Sequence, residues 1–107
     1  MIVREYVNDL GISPFARWFS SLHAQAAAKV TTALMRMELG NLSNVKSVGA
    51  GVFEYRLDFG SGYRIYFGIE GPKLILLLGG GTKKYQPKDI AEAQRLWQEY
   101  KERRKGE

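Results

Sequence analysis

The sequence predicts an α+β fold in which a mostly antiparallel sheet is accompanied by helices. The hydrophobic period is helical over residues 15–37, changes to two over residues 52–69, and becomes helical again near residue 90. Glycine and proline residues mark the points where the period changes. The resulting order is strand, helix, helix, three strands, helix, and we expect the helices to lie on one face of the sheet.

Length and composition indicate one domain. The chain has 107 residues, of which 45% are apolar, so we expect residues 1–107 to form a single domain around one core. Cysteine is absent, which excludes disulfide bonds and cysteine-based zinc sites and fits a reducing compartment. The apolar run 74–78 is too short to span a bilayer, so we expect a soluble protein without a membrane partner, and the absence of cysteine fits the cytoplasm.

The N-terminal part predicts a strand followed by a helical hairpin. Residues 2–7 are rich in strand-forming types. Ser13 is a suitable N-cap and Pro14 suits the first helical position. A second helix is expected over residues 24–39, with Gly40 placed to end it.

A three-stranded meander and a final helix are predicted after the hairpin. Apolar and polar residues alternate from residue 52, the run breaks at residues 60–62, and a returning strand leads to a third strand over residues 73–78. Pro87 lies near the start of an amphipathic helix. Its apolar positions are Ile90, Ala93, Leu96, Trp97 and Tyr100.

The polar face of the meander is the first candidate site. Side chains alternate between the faces of a strand, so the inward apolar residues direct four others outward. We expect these four to be exposed side by side on adjacent strands: Glu54, Arg56, Arg64 and Tyr66.

Charge suggests a polyanionic partner. The formal net charge is +5, and residues 44–84 hold six cations against three anions, which is +3 of that total. The expected contacts to a nucleic acid are Lys46, Arg56, Arg64, Tyr66, Lys83 and Lys84.

These residue types suit metal-independent RNA cleavage, which requires a base, cations for the phosphorane and an acid. Arg56 and Arg64 suit the cation role because a guanidinium holds two phosphate oxygens at once. Glu54 is a candidate base, or an orienter of Arg56. The candidate proton-transfer groups after the third strand are Lys83, Lys84 and Tyr85, and Tyr66 or Tyr85 can stack on a base. No cofactor or metal site is predicted.

Structural explanations are open for each candidate. Glu54 and Arg56 can form a solvated face that pairs charges across the hairpin, and the same applies to Arg64. Lys83 and Lys84 can be ordinary loop lysines. Tyr85 can be a core anchor. The lone His23 lacks a second histidine for a His-pair ribonuclease, so we expect it to be structural or exposed.

Several segments together resemble a known family. They are WFSSL at residues 18–22, VKSVGAGVFEYRL at 45–57, GYRIYF at 62–67 and LLLGGGTK at 76–83. The chain resembles the addiction-module killer proteins, a branch of the RelE/HigB-like toxin superfamily of type II toxin-antitoxin systems. The similarity extends over nearly the whole chain, including the final helix.

The resemblance implies a RelE-like, microbial-ribonuclease-like fold and an mRNA interferase that cuts messenger RNA on the ribosome and so inhibits translation. It also implies neutralisation by a cognate antitoxin, usually a helix-turn-helix protein encoded by an adjacent gene. Arg56 and Arg64 resemble the superfamily's phosphate-binding and transition-state residues. Residues 83–85 match the position of its terminal acid or base and stacking aromatic, and Glu54 is similar to a carboxylate base of some members.

One departure from the family affects the chemistry. No histidine lies near the predicted face, so the general acid would be Lys83, Lys84 or Tyr85 and activity on naked RNA should be low. Two alternatives stay open. One is a noncatalytic module that binds RNA or an antitoxin, and the other is a toxin of the same fold with another target, such as topoisomerase.

Overall fold

The computed structural model describes residues 1–106, and its strands and helices follow the predicted order with one additional strand after the helical hairpin. Five strands form one mixed sheet in the order β1-β5-β4-β3-β2, with β1 parallel to β5 and all other neighbours antiparallel. The α+β class, the N-terminal strand, the helical hairpin, the meander and the C-terminal helix are therefore confirmed. The elements are β1 (Ile2–Glu5), α1 (Pro14–Ser20), α2 (Ala24–Glu38), β2 (Val45–Gly49), β3 (Val52–Leu57), β4 (Tyr63–Glu70), β5 (Leu74–Thr82) and α3 (Gln86–Lys105).

Local capping residues define the helical hairpin. The Ser13 hydroxyl accepts the Ala16 N–H at 3.0 Å, and Pro14 occupies the first turn of α1, as predicted. His23 caps α2 because its Nδ1 accepts the Ala26 N–H at 3.3 Å. The chain leaves α2 through Gly40, whose φ of 81° belongs to the left-handed region.

Two features of the sheet differ from the predicted ones. Strand β2 was not predicted, since a bulge between Ser47 and Gly49 interrupts the alternation that would have indicated it. Strand β5 continues four residues beyond the predicted end at residue 78, to Thr82. Gly79, Gly80 and Gly81 pair with β4 in this extension. Strand pairing uses backbone N–H and C=O groups, so glycine can take part without a side chain.

The helices cover both faces of the sheet, so the prediction that they lie on one face was wrong. Along β4, Ile65 and Phe67 pack in the core under α1 and α2, whereas Tyr66 packs in a second core under α3. The reason is visible in β5, where the consecutive apolar residues 74–78 need burial on both faces. The second core contains Tyr6, Val52, Tyr66, Leu76, Leu78, Ala93, Leu96 and Trp97.

Two glycines allow tryptophan rings to lie directly on the sheet. A methyl group built on Gly68 would collide with the indole of Trp97, which comes from α3. A methyl group on Gly80 would collide with the indole of Trp18, which comes from α1 on the other face. The close approach of both helices therefore depends on missing side chains in β4 and β5.

A helix that crosses a bilayer needs about 20 predominantly apolar residues. Even α3, with 20 residues, is too polar, and no helix within residues 1–106 is both long and apolar enough to cross a bilayer.

Candidate functional site

A buried carboxylate organises the candidate site. Glu54 on β3 is fully buried, and its Oε1 lies 2.7 Å from Nε of Arg64 on β4. Gln86, at the start of α3, donates its Nε2–H to the same Oε1 at 2.7 Å. The ammonium of Lys46 on β2 lies 3.6 Å from Oε2. Three strands and a helix therefore converge on one acidic side chain.

This arrangement corrects the prediction of an exposed polar face. Glu54, Arg64 and Tyr66 do share one face of the meander, but α3 covers it and all three are buried. Arg56 is exposed, as predicted. Among residues 1–106 no ion pair joins Glu54 to Arg56, so Glu54 orients Arg64 and not Arg56.

The guanidinium of Arg64 is held at both ends. Glu54 contacts its Nε, and its Nη1 donates to the carbonyl oxygen of Gly62 at 3.0 Å. Gly62 lies in the loop between β3 and β4, so the guanidinium ends beside that loop. Because Glu54 is fully buried between Arg64, Lys46 and Gln86, its position suits orientation of Arg64 better than contact with a substrate.

Tyr66 cannot serve as a stacking residue in this arrangement. Its side chain is only 1% exposed, and its hydroxyl is buried without a hydrogen-bond partner among the described residues. Burial raises the pKa of Tyr66, and the negative charges of Glu54 and Asp89 add to that increase. Asp89 of α3 is itself partly buried, and this burial raises the pKa of its carboxyl group. The predicted base-stacking role of Tyr66 is therefore not supported by its position.

A basic groove lies where α2, β2 and the end of β3 meet the loop between β3 and β4. Three adjoining depressions form it, and each is lined by Arg56 and Asp58. One depression extends to α2, one to β2, and one to the loop between β3 and β4. The cations lining the basic groove are Lys29, Arg36, Lys46, Arg56, Arg64 and Lys83.

Most of this positive charge is uncompensated. Lys46 and Arg64 pair with Glu54, but within the described part of the chain Lys29, Arg36, Arg56 and Lys83 form no ion pair. Among the described residues, Asp58 is the one carboxylate that lines the depressions. Clustered cations without partners repel each other and attract a polyanion, which makes the basic groove the candidate binding surface.

Five of the eight predicted site residues meet here, and Tyr66, Lys84 and Tyr85 do not. Glu54, Lys46, Arg56, Arg64 and Lys83 belong to the groove or to the buried cluster beneath it. The Lys83 N–H donates to the Gly62 carbonyl at 2.9 Å, which holds the segment after β5 against the loop between β3 and β4.

Lys84 and Tyr85 lie outside the basic groove. They follow Lys83 in a 3-10 turn, and Nζ of Lys84 stands 5.4 Å from the centre of the Tyr85 ring. Tyr85 lines a different depression together with Trp18 and Lys88. Tyr85 is 55% exposed, so it is not the core anchor that was considered for it.

The contribution of α2 to the basic groove was not predicted. Lys29 and Arg36 are seven residues apart, so they share one helix face, and the tertiary structure brings that face beside Arg56. The roles of Asp58 and Phe59, which follow β3 and line the groove, were not predicted either. The spacing of Lys29, Thr32 and Arg36 along one border of the apolar stripe was the available signal, but it did not indicate which strand they would meet.

Comparisons with known proteins assign the family. Residues 17–100 match the model of the family described as phage derived protein Gp49-like (DUF891). A protein of Haemophilus influenzae (strain ATCC 51907 / DSM 11121 / KW20 / Rd), described as an uncharacterized protein, is 43% identical over 86 residues, which cover 79% of this chain and 87% of that relative. The matched residues include all of α2, the meander and most of α3. The chain therefore belongs to the Gp49-like phage-derived protein family.

Proposed function

We propose that this protein is the toxin of a type II toxin-antitoxin system, of the RelE/HigB-like kind, and that it cuts messenger RNA on the ribosome. The observation that carries the proposal is the pair of arginines in the basic groove. Arg56 is exposed and unpaired among the described residues, while Arg64 ends in the same depression with its orientation held by a buried carboxylate. The resemblance to addiction-module killer proteins supports the same function.

The arginines supply electrostatic stabilisation in this proposal. As the 2′-oxygen attacks the scissile phosphate, negative charge grows on the phosphorane oxygens. Two guanidinium groups can share those oxygens, and the contact with Glu54 keeps Arg64 from turning away. The products would be a 2′,3′-cyclic phosphate and a free 5′-hydroxyl.

Proton transfer is assigned to the two other ionisable side chains of the same depression. Lys83 and Asp58 line it together with Arg56 and Arg64. We assign Lys83 to protonate the leaving 5′-oxygen and Asp58 to accept the proton of the 2′-hydroxyl. Tyr85, which lies outside the groove, can contribute only if the RNA extends across Lys83 toward it.

The ribosome is expected to be necessary for useful rates. An exposed groove does not by itself align the 2′-oxygen with the phosphorus, and alignment can account for much of a reaction barrier. A ribosome that holds the message in line would supply it, so we expect little cleavage of naked RNA. We also propose neutralisation by a cognate antitoxin, a helix-turn-helix protein encoded beside this chain.

The proposal is tested by tightly controlled expression in a bacterial host, followed by mapping of messenger RNA ends. Wild type is compared with Arg56→Ala and with the control Arg4→Ala. Arg4 is an exposed arginine on β1, at the far edge of the sheet. Growth arrest with new ends in translated messages is expected for wild type and Arg4→Ala, and not for Arg56→Ala. Circular dichroism of each purified protein checks that it is folded.

The same measurement separates the alternatives. Arrest with intact messages and salt-sensitive RNA binding would refute the nuclease and favour a noncatalytic module. Arrest with DNA damage and intact messages would favour a toxin with another target, such as topoisomerase. In either case the ribonuclease assignment of the basic groove fails.

A further inference from the structure

An aromatic cluster stands at the rim of the basic groove. Phe59, in the loop between β3 and β4, and Tyr63, the first residue of β4, stack with ring centroids 6.0 Å apart and planes inclined by 25°. The ring of His23 lies 6.3 Å from that of Phe59, and its Nε2 is 3.4 Å from the hydroxyl of Tyr63. These three residues, Phe59, Tyr63 and His23, are called the aromatic rim.

The aromatic rim is separate from the two hydrophobic cores. Neither Phe59 nor Tyr63 belongs to the buried clusters or to the half-buried residues packed against them. Both side chains are half-buried and keep part of their surface in contact with solvent. Large aromatic side chains that do not fill a core and line a groove are typical of ligand contacts.

Backbone hydrogen bonds hold Phe59 in place. Its N–H donates to the Leu57 carbonyl at 2.9 Å, and its carbonyl accepts the Gly62 N–H at 3.0 Å. Gly62 has a φ of 81°, a conformation that a glycine adopts without strain. The ring is therefore preorganised, and a ligand that stacks on it loses little loop entropy.

Phe59 lies between two groups of cations. In one depression it lines the wall with Lys29, Arg36 and Arg56, and Nζ of Lys29 lies over the Phe59 ring, 5.6 Å from its centre, so the lysine must move aside when a base stacks on that face. In the neighbouring depression it lines the wall with Arg56, Arg64 and Lys83. Alternation of phosphate-binding cations with an aromatic face matches the chemistry of a single-stranded nucleic acid, in which charged phosphates alternate with flat bases.

We propose that Phe59, supported by Tyr63, stacks on one unpaired base of a single-stranded RNA, and that Lys29 and Arg36 bind a phosphate next to it. This inference rests on the proposed function, in which Arg56 and Arg64 hold the scissile phosphate. The stacked base and its phosphate would belong to the part of the same RNA that continues along the groove. The subsite provides the aromatic contact that the buried Tyr66 and the remote Tyr85 do not make in the groove. Stacking of this kind accepts any base, so it positions RNA without selecting a sequence.

Binding to two matched oligomers tests the proposal. One is a short 2′-O-methyl RNA, which cannot be cut because its 2′-oxygen is blocked. The other has the same number of phosphates but carries abasic tetrahydrofuran units in place of the nucleotides. Wild-type protein is expected to bind the base-bearing oligomer about tenfold more tightly than the abasic one, as loss of a single stacked base implies.

Three variants distinguish stacking from general packing. Phe59→Leu should reduce the tenfold preference to about twofold or less, with affinity for the abasic oligomer unchanged within about twofold. Phe59→Trp should keep or increase the preference, and it also tests the proposal should the leucine variant unfold. The matched control is Phe53→Leu, a half-buried phenylalanine on β3 whose ring stacks on Phe67 at 5.8 Å outside the groove, and it should keep the preference.

Any one of three results would overturn the inference. It fails if wild type shows no preference for bases, if Phe59→Leu keeps the tenfold ratio, or if folded Phe59→Trp loses it. Failure of the proposed function is a separate result, because it appears as uncut messages in the expression experiment. If wild type cuts messages but binds both oligomers equally, only the stacking subsite is wrong.

Discussion

Glu54 and Arg64 form a buried ion pair across β3 and β4, with 2.7 Å between Glu54 Oε1 and Arg64 Nε and side chains 0% and 6% exposed. The two residues are diagonal neighbours, because the strand ladder pairs Glu54 with Tyr66 and Arg64 with Arg56. The guanidinium is therefore anchored below the basic groove and reaches its floor from the inside. A fixed arginine of this kind is suited to a charged transition state, since it needs no reorganisation when charge develops.

The ion pair leads to a prediction about stability. Glu54→Gln keeps the size of the side chain but leaves Arg64 buried without a counter-charge, which is costly in a protein interior. We expect the free energy of unfolding to fall by about 3 kcal/mol, measured by urea denaturation. The control Glu92→Gln breaks an exposed pair with Arg95 and should cost less than about 1 kcal/mol. Equal losses would contradict a structural role for the buried pair.

The Arg56→Ala variant is expected to lose cleavage activity while its stability is unchanged. Arg56 is exposed and forms no ion pair within residues 1–106, so Arg56→Ala should change the free energy of unfolding by no more than about 0.5 kcal/mol. If it stabilises the phosphorane, ribosome-dependent cleavage should fall about 100-fold or more. The readout is the initial rate of cleavage on purified programmed ribosomes, with Arg4→Ala as the arginine control. Unchanged cleavage by Arg56→Ala would remove Arg56 from the mechanism.

Alanine substitutions at Gly68 and Gly79 form a matched pair that tests how closely α3 packs on the sheet. A methyl group at Gly68 meets the Trp97 ring, whereas nothing lies within 4 Å of one at Gly79. We expect Gly68→Ala to destabilise the protein by about 2 to 3 kcal/mol through overpacking, and Gly79→Ala to change stability by less than about 1 kcal/mol. Thermal and urea denaturation compare the two. A tolerated Gly68→Ala would show that α3 does not depend on this close approach.

Tyr66 gives a prediction about alkaline pH. Burial, together with the charges of Glu54 and Asp89, raises the pKa of Tyr66 above the ordinary tyrosine value of about 10, so the folded state holds the proton more tightly than the unfolded state. Its contribution to stability is complete below pH about 10 and is lost as the pH rises toward the folded-state pKa. Above pH 10 the free energy of unfolding should therefore fall more steeply with pH in wild type than in Tyr66→Phe. The two slopes should differ by up to about 1.4 kcal/mol per pH unit.

At neutral pH the same variant tests the unpartnered hydroxyl. Because the Tyr66 hydroxyl has no hydrogen-bond partner among the described residues, its removal should leave stability unchanged or raise it by about 1 kcal/mol. Urea denaturation of wild type and Tyr66→Phe at a series of pH values measures both effects. A large loss at neutral pH, or identical slopes above pH 10, would contradict the environment described for Tyr66.

Much of the candidate site was predictable, because it depends on short-range rules. Alternation along β3 and β4 correctly grouped Glu54, Arg64 and Tyr66 on one face. The basic residues Arg56 and Lys83 were correctly assigned to the exposed surface. What could not be predicted was accessibility, since alternation assigns a side chain to a face without showing what packs on that face.

The sequence by itself determined the order of every element except β2, and also the ends of most helices, because caps, glycine turns and hydrophobic periods act over a few residues. Only the tertiary structure decided that α3 covers the second face of the sheet, that Glu54 lies beneath the groove, and that Lys29 and Arg36 join it from α2. Those outcomes depend on burial summed over contacts between residues far apart in the chain. The apolar run in β5 required a second covering layer, and packing selected the helix that provides it.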